Sequence, residues 1–141
     1  MHRKAAFTLV EIMIAVPGFM RARQRSQNAK FINALRVGGD AVETYAMEHS
    51  AYPPDVNRGV VPPGLASYLD PTFDWTGATP IGGRWDWDFN VSSVKAAISV
   101  VDPTAGLEQL TAIDQQFDDG NLQTGRFRQV GSNRYSCIIE P

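Results

Sequence analysis

The sequence predicts an α+β fold, in which a long N-terminal α-helix packs on a small C-terminal antiparallel β-sheet. Two observations carry this prediction. Apolar residues recur at helical spacing through residues 19–50, whereas short alternating or apolar runs, separated by turn residues, occupy residues 84–141. A length of 141 residues suits one domain of ordinary size with a terminal extension.

The first predicted helix of the domain covers residues 21–50. Its apolar stripe consists of Phe31, Leu35, Val42 and Tyr45, which follow one another at intervals of 4, 7 and 3 residues. We expect this stripe to dock on the sheet. Pro17 fits either the first turn of this helix or a kink in a longer helix that starts at Phe7. The helix is expected to end before Pro53 and Pro54, which cannot continue it.

The remainder of the domain divides into a loop and a sheet region. Residues 51–83 are rich in proline, glycine and aspartate, which predicts a long ordered loop pinned by aromatic side chains, with a helical turn at 64–69. Within the sheet region 84–141, strands are predicted at 84–90, 95–101, 125–131 and 133–140. Between the second and third strands, residues 105–117 have the apolar spacing of a second helix.

Composition excludes several classes of protein. A formal net charge of −2 with 43% hydrophobic and 20% charged residues is not that of a disordered polyelectrolyte or a strongly basic nucleic-acid binder, so no nucleic-acid partner is expected. The single cysteine, Cys137, cannot form an internal disulfide and is expected to be packed in a strand. His2 and His49 offer little material for histidine catalysis or metal binding, and no serine lies in a nucleophile motif, so no enzyme is expected.

The N-terminus combines a basic leader, residues 1–6, with an apolar stretch that carries an acid, Glu11. An ordinary secretory signal peptide is one alternative, but an ionisable group in its apolar region is costly and normally avoided. A buried core helix is the second alternative, and it leaves the basic residues before the apolar run unexplained.

The segment "KAAFTLVEIMIAV" resembles the class III signal of type IV prepilins and of the related pseudopilins of type II secretion. The match consists of Lys4 in the leader, the small residue Ala6 before the cut, Phe7 as first mature residue and Glu11 at the fifth mature position. Family members usually have glycine at the position of Ala6. "RARQRSQNAKFINALR" resembles the start of the family's lower helix, and "ETYAMEHSAYPPD" resembles the helix end and loop of the major pseudopilins.

This resemblance implies a structural subunit of a type II secretion pseudopilus or type IV pilus that acts by helical polymerisation in protein secretion. Prepilin peptidase would cut between Ala6 and Phe7, and the new amino group of Phe7 would be N-methylated. Glu11 would pair with the N-terminus of the adjacent subunit and fix the register of the filament. The implied partners are further copies, other pilin or pseudopilin subunits, the peptidase and the inner-membrane assembly platform.

The resemblance also implies a single-pass protein of the bacterial inner membrane with its globular domain on the periplasmic side. The hydrophobic helix segment, residues 7–20, spans roughly 21 Å at about 1.5 Å per residue, against about 30 Å of hydrocarbon. A second apolar block of roughly eleven residues would sit between Val16 and Pro17 in the family pattern, and its omission leaves the helix faces nearly in phase because eleven residues make about three turns. The shortened segment leaves membrane and soluble states both open.

One segment carries a candidate metal site. "DQQFDDGN", residues 114–121, clusters carboxylate and amide oxygens around Gly120, and the candidate Ca²⁺ ligands are Asp118, Asp119 and Asn121. Major pseudopilins carry a calcium site in a C-terminal loop. The segment lacks the spacing of an EF-hand, so a solvated turn is the alternative.

A different class of function also remains open, an exported domain that binds carbohydrate or protein through its aromatic loop or tryptophan strand. Trp85 and Trp87 would form a sugar-stacking face if exposed, and burial against the helix is the competing interpretation. Arg21, Arg23 and Arg25 could bind acidic lipid headgroups or nucleic acid, or lie on a solvated or inter-subunit face.

Overall fold

In the computed structural model, a long helix packs across one face of a four-stranded antiparallel sheet, which confirms the α+β class. The structure describes the backbone of residues 9–141 and the side chains of residues 18–141. The predicted cleavage position, Ala6 and Phe7, therefore lies outside the described residues. Glu11 lies in the helix, and its side chain is also outside the described part.

The elements lie close to their predicted positions. They are α1 (Leu9–His49), β1 (Arg84–Val91), β2 (Val94–Val101), α2 (Leu107–Phe117), β3 (Phe127–Gly131) and β4 (Arg134–Glu140). A short 3₁₀ turn at Ala66–Tyr68 interrupts the long loop. The strand order is β1-β2-β4-β3, and every neighbouring pair is antiparallel.

The first helix is longer than the predicted segment 21–50. Position 17 lies inside α1, so the structure has the longer of the two helices that the sequence left open. A proline removes one N–H and crowds the preceding turn, which a helix of 41 residues accommodates. At the other end α1 stops at His49 because Ser50 adopts a left-handed φ of 56°.

The core lies between α1 and the sheet. Of the predicted stripe, Phe31, Leu35 and Val42 are buried and Tyr45 is half-buried. The Phe31 ring stacks on Trp85 with centroids 5.4 Å apart and meets Phe127 edge-on at 6.0 Å. Such aromatic pairs add about 0.5–1.5 kcal/mol each beyond the apolar area they bury. In the part of the chain that the structure describes, no helix combines the length and apolarity needed to cross a membrane.

Loops cover both edges of the sheet. At the β1 edge the N–H of Gly59 donates to the carbonyl of Trp85 over 2.7 Å, and at the β3 edge the N–H of Gln129 donates to the carbonyl of Leu122 over 2.8 Å. Unpaired edge groups invite pairing with other chains. These contacts therefore disfavour growth of the sheet by addition of a strand.

The face of the sheet away from α1 is polar but also buried. Asp86 and Asp88 alternate with the core tryptophans along β1, as the sequence pattern indicates, yet each is only 5% exposed. The guanidinium of Arg134 donates to both carboxylates at 2.8 Å. The hydroxyl of Ser99 donates to Asp88 over 2.5 Å and lies 2.6 Å from that of Ser136. This network ties β1, β2 and β4 together on the outer face.

Candidate functional site

The candidate site lies where α2 ends and the chain turns toward β3. Leu110 and Ile113 bury one side of α2 in the core, so its last turn is held against the domain. Asp114 lies in the last turn of α2, Asp118 caps the C-terminal end of the helix with a non-helical φ of −142°, and Asp119 follows directly. One carboxylate oxygen of each acid lies within 4.8 Å of the others.

Asp114 is the unusual member of this group. It is fully buried, and neither carboxylate oxygen has a hydrogen-bond partner among the described residues. Burial raises the pKa of Asp114, and the negative charges of Asp119 and Asp118 raise it further. The backbone N–H groups of Gly120 and Asp119 oppose this rise without forming hydrogen bonds of ordinary geometry. A partnerless buried carboxylate is costly unless another group neutralises it.

Asp118 is tied to the start of the third strand. One of its oxygens accepts hydrogen bonds from the backbone N–H groups of Arg126, at 2.6 Å, and Phe127, at 3.0 Å. Gly125 precedes them with φ +78°, and a Cβ there would collide with the same carboxylate. Glycine at this turn therefore allows Asp118 to reach both N–H groups.

Asp119 and Asn121 build the turn itself. Asp119 accepts hydrogen bonds from the hydroxyl of Thr124 at 2.5 Å and the N–H of Asn121 at 3.0 Å, and these bonds lower its pKa, the hydroxyl most. The side-chain oxygen of Asn121 accepts the N–H of Gln123 at 2.9 Å. Of the three predicted ligands, the structure therefore brings Asp118 and Asp119 together and uses Asn121 in a local turn.

Asp114 was not among the ligands that the sequence predicted. Its spacing of one helical turn before Asp118 is the signal that would have found it. A solvated turn accounts for Asp119, which is exposed, but not for Asp114, which is buried without a partner. Oxygens within 4.8 Å of one another suit a cation that binds its ligands at about 2.3–2.6 Å, as Ca²⁺ does.

The other residues that the sequence singled out lie in the core of the domain or on the exposed surface of α1. Trp85 and Trp87 are 2% and 0% exposed, so they are core residues and present no face for stacking on a sugar. Cys137 is buried as expected, and burial raises its pKa to about 11, which leaves the thiol protonated and unreactive. Arg21, Arg23 and Arg25 are exposed on α1.

Comparison with protein-family models, with curated proteins and with solved structures returned no match to this chain.

Proposed function

We propose that this chain is a pilin-like structural subunit of a type II secretion pseudopilus or type IV pilus, and that it acts by helical polymerisation. The observation that carries the proposal is the form of α1, one continuous helix of 41 residues that runs from the apolar N-terminal stretch into the core of the domain. Its C-terminal half packs on a small antiparallel sheet. This is the layout that the class III motif around Phe7 and Glu11 implies.

The part of α1 just before the core, residues 18–26, is open to contact with other molecules. Every residue from Gly18 to Ser26 is exposed, and the first buried side chain of the described helix is that of Asn28. The backbone helix from Leu9 to Ser26 is roughly 27 Å long at about 1.5 Å per residue. Apolar side chains such as the exposed Phe19 and Met20 gain stability when they are buried among neighbouring copies.

Glu11 supplies the register in this proposal. A carboxylate among apolar residues costs several kcal/mol, roughly, unless it pairs with a positive group. After cleavage between Ala6 and Phe7, the amino group of a neighbouring subunit provides that positive charge. Copies out of register leave the acid unpaired and are disfavoured. The prepilin peptidase and the inner-membrane assembly platform are the partners for processing and assembly, with the globular domain on the periplasmic side.

The proposal is tested at the N-terminus. Mass spectrometry of the mature protein is expected to find a chain that begins with N-methylated Phe7. Glu11→Ala is expected to abolish incorporation into filaments while the domain stays folded by circular dichroism. Glu108→Ala, which removes an exposed acid from α2, is the matched control and is expected to assemble normally.

Two outcomes would contradict the proposal. A mature chain that starts beyond residue 20 would show that the functional protein does not begin at Phe7 and lacks Glu11. Normal filaments from Glu11→Ala would show that Glu11 does not set the register between subunits.

We further propose that Asp114, Asp118 and Asp119 hold a structural Ca²⁺ ion, which supports the turn that leads into β3. The three side chains fit the ion because they are oxygen donors and because Asp114 has no other partner among the described residues. When bound, the ion would neutralise the mutual repulsion of the carboxylates. The chain's own contribution is Asp118, which links the site to the first N–H groups of β3.

Thermal unfolding with Ca²⁺ and with a chelator tests the metal site. A Ca²⁺ concentration about 100 times the dissociation constant is expected to add about 2.7 kcal/mol to the free energy of unfolding. Asp114→Asn is expected to remove this gain, whereas Asp40→Asn, an exposed acid on α1, is expected to keep it. Identical unfolding curves with and without Ca²⁺ would refute the site.

A further inference from the structure

An open groove runs along one flank of α1. Two cavities of about 310 Å³ and about 350 Å³ lie between this flank and the loop that follows the 3₁₀ turn, and they share Val37 and Asp70. Together they extend from Lys30 to Thr44, roughly 21 Å along the helix at about 1.5 Å per residue. The half-buried ring of Phe73 lines the smaller cavity on the side of the loop. The groove is therefore long enough for a neighbouring helix to lie against its rim over several turns.

The rim of the groove is acidic. Asp40, Asp70 and Asp74 line it, are exposed, and form no ion pair with another described residue. Asp70 also accepts hydrogen bonds from Thr72, which fix its carboxylate at the loop edge. Lys30 contributes one positive charge at one end of the groove. The rim as a whole is negative and favours a basic occupant.

The exposed segment of the same helix that precedes the core, residues 18–26, carries the matching charge. Arg21 and Arg25 are four residues apart, so they share a face, and both are exposed without an ion pair to any described residue. The small residues Gly18 and Ala22 lie next to this face and are also exposed. Phe19 and Met20 line a separate cleft against the chain's own domain.

A chain cannot place these arginines in its own groove. At about 100° per residue, Arg21 and Arg25 lie on roughly the opposite side of α1 from Val37 and Ala41, which line the groove. The basic face therefore needs a groove on another molecule, and the groove needs a basic face from another molecule. When identical chains join through two different surfaces, the rotation from one chain to the next decides the assembly. The chains form a closed ring if this rotation returns to its starting point and an open helical filament if it does not.

We propose that the groove receives the start of α1 from a second copy of this chain, with Arg21 and Arg25 against the acidic rim. The inference rests on the proposed filament function and names a contact that holds the filament together. Glu11 fixes the register at the apolar end of the helix, and this polar contact joins the exposed helix segment to the body of the next subunit.

Cysteine cross-linking in assembled filaments tests the contact directly. The full chain with Arg25→Cys and Asp70→Cys is expected to give a ladder of covalent oligomers when sheared filaments are oxidised. Each single variant is expected to stay monomeric on the gel, as is the pair Arg25→Cys with Ser132→Cys, because Ser132 is exposed in the turn between β3 and β4 and lines neither cavity of the groove. Filaments of the first pair without a ladder would overturn the contact.

Charge reversal provides an independent readout. Arg21→Glu with Arg25→Glu, or Asp40→Arg with Asp70→Arg, is expected to lower filament yield about tenfold or more because attraction becomes repulsion. All four substitutions together are expected to restore the yield, whereas Glu108→Arg alone, which reverses an exposed acid on α2, is expected to leave it unchanged. Circular dichroism confirms that each variant folds.

The outcomes separate this inference from the function on which it rests. Cleavage and methylation at Phe7 are expected in every variant. Reversed variants that assemble normally, or a fourfold variant that does not recover, overturn the contact and leave the filament function standing. An unaltered chain that is neither processed nor assembled overturns both.

Discussion

At the residue scale, buried acids distinguish this domain from an ordinary small α+β protein. Asp86 shares the guanidinium of Arg134 with Asp88, and one Asp86 oxygen is buried without a hydrogen-bond partner among the described residues. Burial raises the pKa of Asp86 from 3.8 to about 6, with Arg134 opposing and the charges of Asp88 and Asp55 adding to the rise. The network is therefore short of one positive charge above pH 6.

This shortage predicts a specific dependence of stability on pH. Because the folded-state pKa of Asp86 exceeds the ordinary value, the folded chain binds more protons than the unfolded chain between about pH 4 and 6. The contribution of Asp86 to the free energy of unfolding is largest below pH 4 and falls as the pH rises to 6. Asp86→Asn is expected to lose this slope.

Urea unfolding of both proteins at intervals from pH 4 to 8 gives the measurement. The difference in stability between variant and parent isolates Asp86 from other titrating groups, including Asp114, whose raised pKa acts in the same direction. A difference that stays constant from pH 4 to 7 would show that Asp86 does not titrate there.

At the scale of elements, the contact between α1 and the sheet depends on close approach at one glycine. A Cβ at Gly38 would lie 3.0 Å from the terminal methyl of Ile98 and 3.6 Å from the ring of Phe73. The next residue, Gly39, has nothing within 4 Å of such an atom. The two adjacent glycines therefore occupy the same helix in very different surroundings.

Valine at these two positions gives a matched pair of variants. Gly38→Val is expected to lower the free energy of unfolding by about 1–3 kcal/mol because it overpacks the contact between α1 and β2. Gly39→Val is expected to change it by less than about 1 kcal/mol, since it gains helix propensity and meets no neighbour. Chemical unfolding measures both, and equal losses would mean that close approach at Gly38 is unimportant.

The elements themselves could largely be predicted from the sequence. The stripe of Phe31, Leu35 and Val42 and the alternation along β1 depend only on the local period, so their positions follow from it. The path of the long loop could not be predicted. It is fixed by contacts such as the indole N–H of Trp87, which donates to the carbonyl of Pro53, 34 residues away in the chain.

At the scale of the whole molecule, one helix serves two purposes. From Asn28 onward α1 supplies one side of the core, whereas from Gly18 to Ser26 every residue is exposed. Both edges of the sheet are covered by the chain's own loops. Assembly through the exposed helix segment and the acidic groove, as proposed, leaves the sheet closed and uses the surfaces that the fold leaves available.

The sequence by itself determined the α+β class, the docking stripe of α1, the strand positions and the motif around Phe7 and Glu11, because each depends on residues close together in the chain. Only the tertiary structure decided that Asp114 is buried beside Asp118, that Asp86 and Asp88 share Arg134, and that an acidic groove lies opposite the arginine face. Those features join residues from separate elements. Burial and charge at such places depend on how the elements pack, which a local pattern does not specify.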